Sequence, residues 1–74
     1  MRYFVFFYSC NNGKTSSFGE QGLRNKHFPS SNLVNKHIVS NAPGYSKGQI
    51  QIKSFNELTE TDYNSWFELN QEEV

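Results

Sequence analysis

The sequence predicts an α+β domain of order ββαβα, with a three-stranded antiparallel sheet in spatial order 2-1-3 and two short helices packed on one face. Three observations predict it. Residues 2–10 are rich in Tyr, Phe and Val, residues 49–53 alternate between apolar and polar, and helix-capping residues stand in Pro29-Ser30-Ser31 and at Thr59. Because 74 residues support only one core, we expect a single domain over residues 1–74.

The first strand is predicted at the centre of the sheet. Its large side chains alternate between two faces, with Tyr3, Val5 and Phe7 on one and Phe4, Phe6 and Tyr8 on the other. A strand that is apolar on both sides normally lies inside a sheet. The sequence leaves open which of the two faces points outward.

The second strand is predicted to follow a tight turn. Asn11-Asn12-Gly13 supplies residues that tolerate a positive φ, as a hairpin requires. The strand then covers about residues 14–18, with an extension to about residue 25. It is polar and interrupted by glycine, which is typical of an edge strand with a bulge.

The remaining elements follow from capping and periodicity. A serine hydroxyl of Pro29-Ser30-Ser31 is expected to cap a helix over about residues 32–39, and the isoleucines at 50 and 52 face inward from a short strand. Thr59 opens the last helix, with apolar side chains at residues 63, 66 and 67 on one side. A right-handed crossover then places the third strand beside the first, opposite the second.

Several function classes are excluded by composition. Cys10 is the only cysteine, so neither an intramolecular disulfide nor a thiolate metal cluster is possible. The apolar run after Arg2 stops at Ser9, too early for a signal peptide, and no run approaches the ~20 apolar residues of a membrane span. We therefore expect a cytoplasmic protein.

No pattern in the chain predicts catalysis, a metal or a cofactor. Gly13-Lys14-Thr15-Ser16 is similar to the end of a phosphate-binding loop, but Tyr8 stands where that motif requires its first glycine. His27 and His37 lie ten residues apart, which matches no usual metal-ligand spacing. The acidic residues of the last helix are expected on a solvated face, where burial cannot raise a pKa for general acid catalysis.

The charges are unevenly distributed although the net charge is zero. Residues 1–53 contain all seven bases and one acid, a net charge of +6, whereas the last 21 residues contain six acids and no base. Such asymmetry indicates docking on nucleic acid or protein, or packing of the acidic end against the basic part within the fold.

The sequence predicts a docking surface because two short helices on one face leave about three aromatic side chains of the first strand uncovered. These side chains could be covered by another protein, including a second copy of the chain, or by the domain's own core. They could also be covered by a nucleic acid whose bases stack on the rings beside basic residues. The residues expected at the partner interface are Phe4, Phe6, Tyr8, Lys14, Arg24, Lys26, Glu60, Asp62 and Glu68.

Three segments resemble short proteins of bacterial mobile elements and phages. Besides the aromatic first strand, they are Ser16-Ser17-Phe18-Gly19, Phe28-Pro29-Ser30 and Glu57-Leu58-Thr59-Glu60-Thr61-Asp62-Tyr63. Such proteins look like the anti-defence class, which includes anti-CRISPR proteins. The resemblance implies an inhibitor in the host cytoplasm that occupies a protein or guide-RNA surface of a defence nuclease. A nucleic-acid-binding or nucleotide-binding module is the alternative.

Overall fold

The computed structural model describes residues 1–67, which form a three-stranded sheet and two α-helices. The elements are β1 Arg2–Asn11, β2 Ser16–Asn25, α1 Ser31–Asn41, β3 Ile50–Leu58 and α2 Glu60–Trp66, with a 3-10 turn at Lys47–Gln49 before β3. β1 pairs antiparallel with both neighbours, and the spatial order is 2-1-3. The predicted class, element order and sheet order are confirmed.

The predicted hairpin turn after β1 is confirmed. β2 begins at Ser16, two residues later than predicted. Gly13 has a φ of 87°. The side-chain oxygen of Asn12 accepts hydrogen bonds from the backbone N–H groups of Lys14 (2.9 Å) and Thr15 (2.8 Å). Because this side chain binds both amides, regular pairing with β1 begins only at Ser16.

The bulge lies in β3, not in β2 as the glycines suggested. β2 pairs with β1 over ten consecutive residues without a break in register. In β3, Ile52 and Ser54 pair with consecutive residues of β1, which leaves Lys53 as the extra residue. The extra residue shifts the alternation of β3, so Phe55 lies on the same face as Ile52.

Both predicted helix caps are confirmed, and of the two adjacent serines it is Ser30 that caps α1. The hydroxyl of Ser30 accepts a hydrogen bond from the N–H of Leu33 (3.2 Å), and the hydroxyl of Thr59 accepts one from the N–H of Asp62 (3.1 Å). Each bond satisfies an amide that the helix itself leaves free, which stabilises the helix by about 1 kcal/mol. None of the helices in residues 1–67 is long and apolar enough to cross a membrane.

The two helices pack on opposite faces of the sheet, whereas one face was predicted for both. On the first face, α1 encloses a core with β1 and β2. Its members are Phe4, Phe6, Leu23, Val34 and Ile38. On the second face, α2 places the ring of Tyr63 5.3 Å from that of Tyr3, and the ring of Trp66 6.3 Å from that of Phe7. The physical reason is that β1 is apolar on both sides, so burial of both sides requires a helix on each.

Candidate protein-docking surface

The outer aromatic face predicted on β1 does not exist in this fold. Phe4 is 0% exposed and Phe6 is 3% exposed, because α1 covers them. Tyr8 is partly buried and packs against the same core. Phe4 and Phe6 are therefore core residues that cannot reach a partner without unfolding, and the prediction of their exposure is wrong.

The basic residues predicted for the interface are exposed, but they do not form one patch. Lys14 lies in the hairpin turn, whereas Arg24 and Lys26 lie at the opposite end of β2. At about 3.3 Å per residue, the ten residues of β2 separate them by about 30 Å. The three bases therefore form two separate groups, one at each end of β2.

The acidic residues predicted for the interface lie at the start of α2. Glu60 and Asp62 are exposed in its first turn, where their charge favours the positive end of the helix dipole. Glu68 lies outside the described residues. The position of Glu60 and Asp62 is explained by helix stability and adds no independent support for a partner.

Two other phenylalanines form an exposed cluster that the sequence did not indicate. Phe28 is 49% exposed and Phe55 is 48% exposed, and their ring centroids lie 4.9 Å apart in a T-shaped arrangement. Beneath them, the ring of Phe28 lies 5.4 Å from that of Phe4, and the ring of Phe55 lies 5.7 Å from that of Phe6. We call the exposed surfaces of Phe28 and Phe55 the aromatic patch.

Local structure fixes both rings of the aromatic patch. The bulge at Lys53 turns Phe55 onto the face covered by α1. Phe28 precedes Pro29, which is buried, and Ser30, which caps α1. Both rings also rest on buried neighbours, so binding a partner would cost little side-chain conformational entropy.

A charged pair borders the aromatic patch. The guanidinium of Arg2 donates two hydrogen bonds to the carboxylate of Glu57, at 2.9 and 2.8 Å, and its central carbon lies 5.1 Å from the centroid of the Phe4 ring. The hydrogen bonds from Arg2 lower the pKa of Glu57 and correspondingly raise the pKa of Arg2. This pair joins the basic and acidic parts of the chain, one of the two explanations for the uneven charge distribution.

The other strongly exposed aromatic residues stand alone on the opposite face. Phe18 is 82% exposed on β2 and pairs with Ser9, so it points to the side on which α2 lies. Trp66 is 51% exposed and rests its ring edge on Phe7. Within residues 1–67, neither ring lies against another exposed aromatic ring.

A concave area lies at the middle of the free edge of β2. It encloses about 420 Å³ between the end of α1 and the end of α2, and its lining residues are Tyr8, Glu20, Gln21, Gly22, Asn41, Tyr63 and Phe67. A Cβ at Gly22 would lie 2.7 Å from both the Tyr63 hydroxyl and the Phe67 ring, so any larger residue would force these rings to shift.

The side chains that could serve as nucleophiles or metal ligands are dispersed or buried. Cys10 is 2% exposed, and burial raises the pKa of its thiol, which lowers the fraction of reactive thiolate. Within residues 1–67, no three side chains of His, Cys, Asp or Glu are grouped closely enough to hold a metal ion.

No family model matches the chain, and neither a curated protein nor a solved structure is significantly similar to it. Its function is therefore inferred from its own geometry. Among the exposed aromatic rings of residues 1–67, those of Phe28 and Phe55 contact each other and rest on buried rings.

Sequence reasoning missed the aromatic patch for a specific reason. Counting alternate positions from Ile50 and Ile52 places Phe55 on the wrong face, and only the bulge corrects the count. Phe28 follows the strand, where no periodicity applies. Its one signal was the neighbouring proline and capping serine, which indicate a fixed backbone.

Proposed function

We propose that this chain is a small non-enzymatic binding protein, an inhibitor of the anti-defence type, which docks on a host protein through the aromatic patch. One observation carries the proposal: the rings of Phe28 and Phe55 contact each other while each keeps about half of its surface exposed. A small monomer gains stability by burying such rings, so contiguous exposure indicates a partner.

The composition of the patch suits a protein interface. Aromatic residues are enriched at binding hot spots, where rigid rings fill a pocket and exclude water. The ion pair between Arg2 and Glu57 supplies a polar border, and both of its side chains are 43% exposed. A complementary partner surface would present an apolar pocket of about two rings with polar groups beside it.

The partner class comes from the resemblance to phage and mobile-element proteins. It implies that the inhibited host protein is a defence nuclease complex, including its guide-RNA surface. The proposal includes a cytoplasmic setting, because the chain has one cysteine and needs no oxidising compartment for its stability.

Nucleic-acid binding is the competing function, and one observation favours it. Lys26 and His27 directly precede Phe28 in the chain, and a half-exposed ring beside a basic residue is able to stack on a base. The wide separation of Lys14 from Arg24 and Lys26 counts against a continuous basic groove.

Capture from host lysate, with and without nuclease, followed by mass spectrometry separates these functions. We expect a host protein to be retained after nuclease treatment. The affinity for that protein is then compared by calorimetry for Phe28→Ala, Phe55→Ala and the matched control Phe18→Ala. Each patch substitution is expected to raise Kd about tenfold or more, and the control less than twofold.

Two results would contradict the proposal. Loss of all captured material after nuclease treatment would support nucleic-acid binding instead. Equal effects of the Phe28→Ala, Phe55→Ala and Phe18→Ala substitutions would show that the aromatic patch is not the contact.

A further inference from the structure

The two free edges of the sheet differ in how they are protected against another strand. β3 carries a bulge at Lys53, and both a bulge and a lysine discourage pairing at an edge. β2 follows a regular register over Ser16–Asn25 and contains neither proline nor lysine. Of the two edges, β2 therefore presents the longer regular row of backbone groups. At its centre, the carbonyl of Gly22 accepts a hydrogen bond from the side-chain amide of Gln21 (2.8 Å) and keeps its second lone pair for a partner strand.

The charges on β2 have a symmetric arrangement. Glu20 and Arg24 lie on the same face, because they pair with Phe7 and Tyr3 on alternate positions of β1. Gly22 lies midway between them. Within residues 1–67 neither charge forms a salt bridge, although both are exposed.

We propose that two copies of this chain pair β2 with β2 in antiparallel orientation, centred on Gly22. The result is a dimer with one six-stranded sheet of order 3-1-2-2-1-3. An isologous antiparallel pair has its twofold axis perpendicular to the sheet, so each residue faces a residue of the same face. Centring on Gly22 places Glu20 of each copy opposite Arg24 of the other, which forms two ion pairs.

Neighbouring registers are less favourable. Centring on Glu20 places two carboxylates directly opposite each other, which is destabilising. Centring on Gln21 places Glu20 opposite Gly22, so the carboxylate gains no partner.

The shape of the edge suits this register. The concave area of about 420 Å³ has Gly22 among its lining residues and is flanked by the ends of both helices. The rings of Tyr63 and Phe67, which already lie over Gly22, would then cover the joined strands from one side.

Sedimentation velocity on the full chain over 1–200 µM tests the dimer. We expect a dimer whose Kd rises about tenfold or more in Glu20→Arg and in Arg24→Glu, since each places like charges opposite each other twice. The double variant Glu20→Arg/Arg24→Glu restores the pairs and should return Kd to near the wild-type value. Lys53→Glu, on the other edge, is the matched control and should leave Kd unchanged.

Cross-linking gives an independent reading of the register. In one strand, residues 20 and 24 are about 13 Å apart, too far for a disulfide within one chain. With Cys10→Ala as background, the variant Glu20→Cys/Arg24→Cys is expected to form a covalent dimer on oxidation. A wild-type chain that stays monomeric at 200 µM would overturn the proposal, as would charge reversals without effect or the absence of the cross-link. Circular dichroism verifies that each variant is folded.

This dimer uses the edge opposite β3, so it leaves the aromatic patch of each copy free. Its failure and the failure of the proposed docking function are therefore separate results. Loss of dimerisation in Glu20→Arg should leave intrinsic affinity for a captured partner within about twofold.

Discussion

The two phenylalanines of β1 that face α1 and the two of the aromatic patch have opposite environments, although the four rings pack together. Phe4 and Phe6 are enclosed, whereas Phe28 and Phe55 keep about half of their surface in contact with water. The difference arises because the helices cover opposite faces of the central strand and α1 extends over β2 more than over β3. A small domain with one helix per face encloses its middle strand and leaves part of an edge strand uncovered.

The largest expected effect is a loss of stability that distinguishes a core phenylalanine from one in the aromatic patch. Phe4→Ala should lower the free energy of unfolding by about 3–5 kcal/mol, because it removes a fully buried ring and leaves a cavity. Phe55→Ala should lower it by only about 1–2 kcal/mol, since half of that ring is already solvated. Urea denaturation measures both, with Phe4→Leu as a milder variant. Equal losses for Phe4 and Phe55 would contradict the difference in burial.

A second prediction examines the face that α2 covers. Gly22→Ala should destabilise the domain by about 1–3 kcal/mol, because the added methyl group overlaps Tyr63 and Phe67. Gly48→Ala is the matched control, since an added Cβ there meets nothing within 4 Å. Thermal denaturation of both variants is the measurement. A neutral Gly22→Ala would mean that α2 does not pack on β2 as described.

The capping prediction depends on a single hydrogen bond. Thr59→Ala removes the acceptor for the N–H of Asp62 and should cost about 1 kcal/mol of stability. Thr59→Ser keeps the hydroxyl and should cost less than half as much. If both substitutions cost the same in urea denaturation, the hydroxyl contributes nothing to the start of α2.

The smallest effect concerns the border of the aromatic patch. Because Arg2 lowers the pKa of Glu57 in the folded state, the contribution of the pair is fully present above the unfolded pKa of about 4.3. It is lost as the pH falls through the lower folded pKa. Glu57→Gln should therefore reduce stability slightly at pH 6 and have no effect near pH 2. A loss that persists at pH 2 would contradict an ionic contribution.

Much of the fold was predictable because its signals are local. The aromatic run of β1, the Asn-Asn-Gly turn and the hydroxyls of Ser30 and Thr59 each act within a few residues. The placement of the helices on opposite faces was not predictable, because β1 presents bulky side chains on both faces. No local pattern distinguishes one face from the other. For that reason the prediction that Phe4 and Phe6 are exposed at the interface was wrong.

The aromatic patch itself was beyond sequence reasoning. Phe55 reaches it through one unpaired residue in β3, and a bulge is decided by pairing with β1 rather than by the sequence of β3. Phe28 reaches it through a loop whose path depends on the packing of α1. The grouping of these two distant residues depended on tertiary contacts.

The central claim is that partners bind the β3 side of the domain through Phe28 and Phe55. Nuclear magnetic resonance of the chain, labelled with ¹³C in its phenylalanine rings and titrated with the captured host protein, tests it most directly. We predict that the ring signals of Phe28 and Phe55 shift or broaden first, while those of Phe18 stay in place. Changes confined to Phe18 and Phe7 would move the binding site to the opposite face and contradict the account.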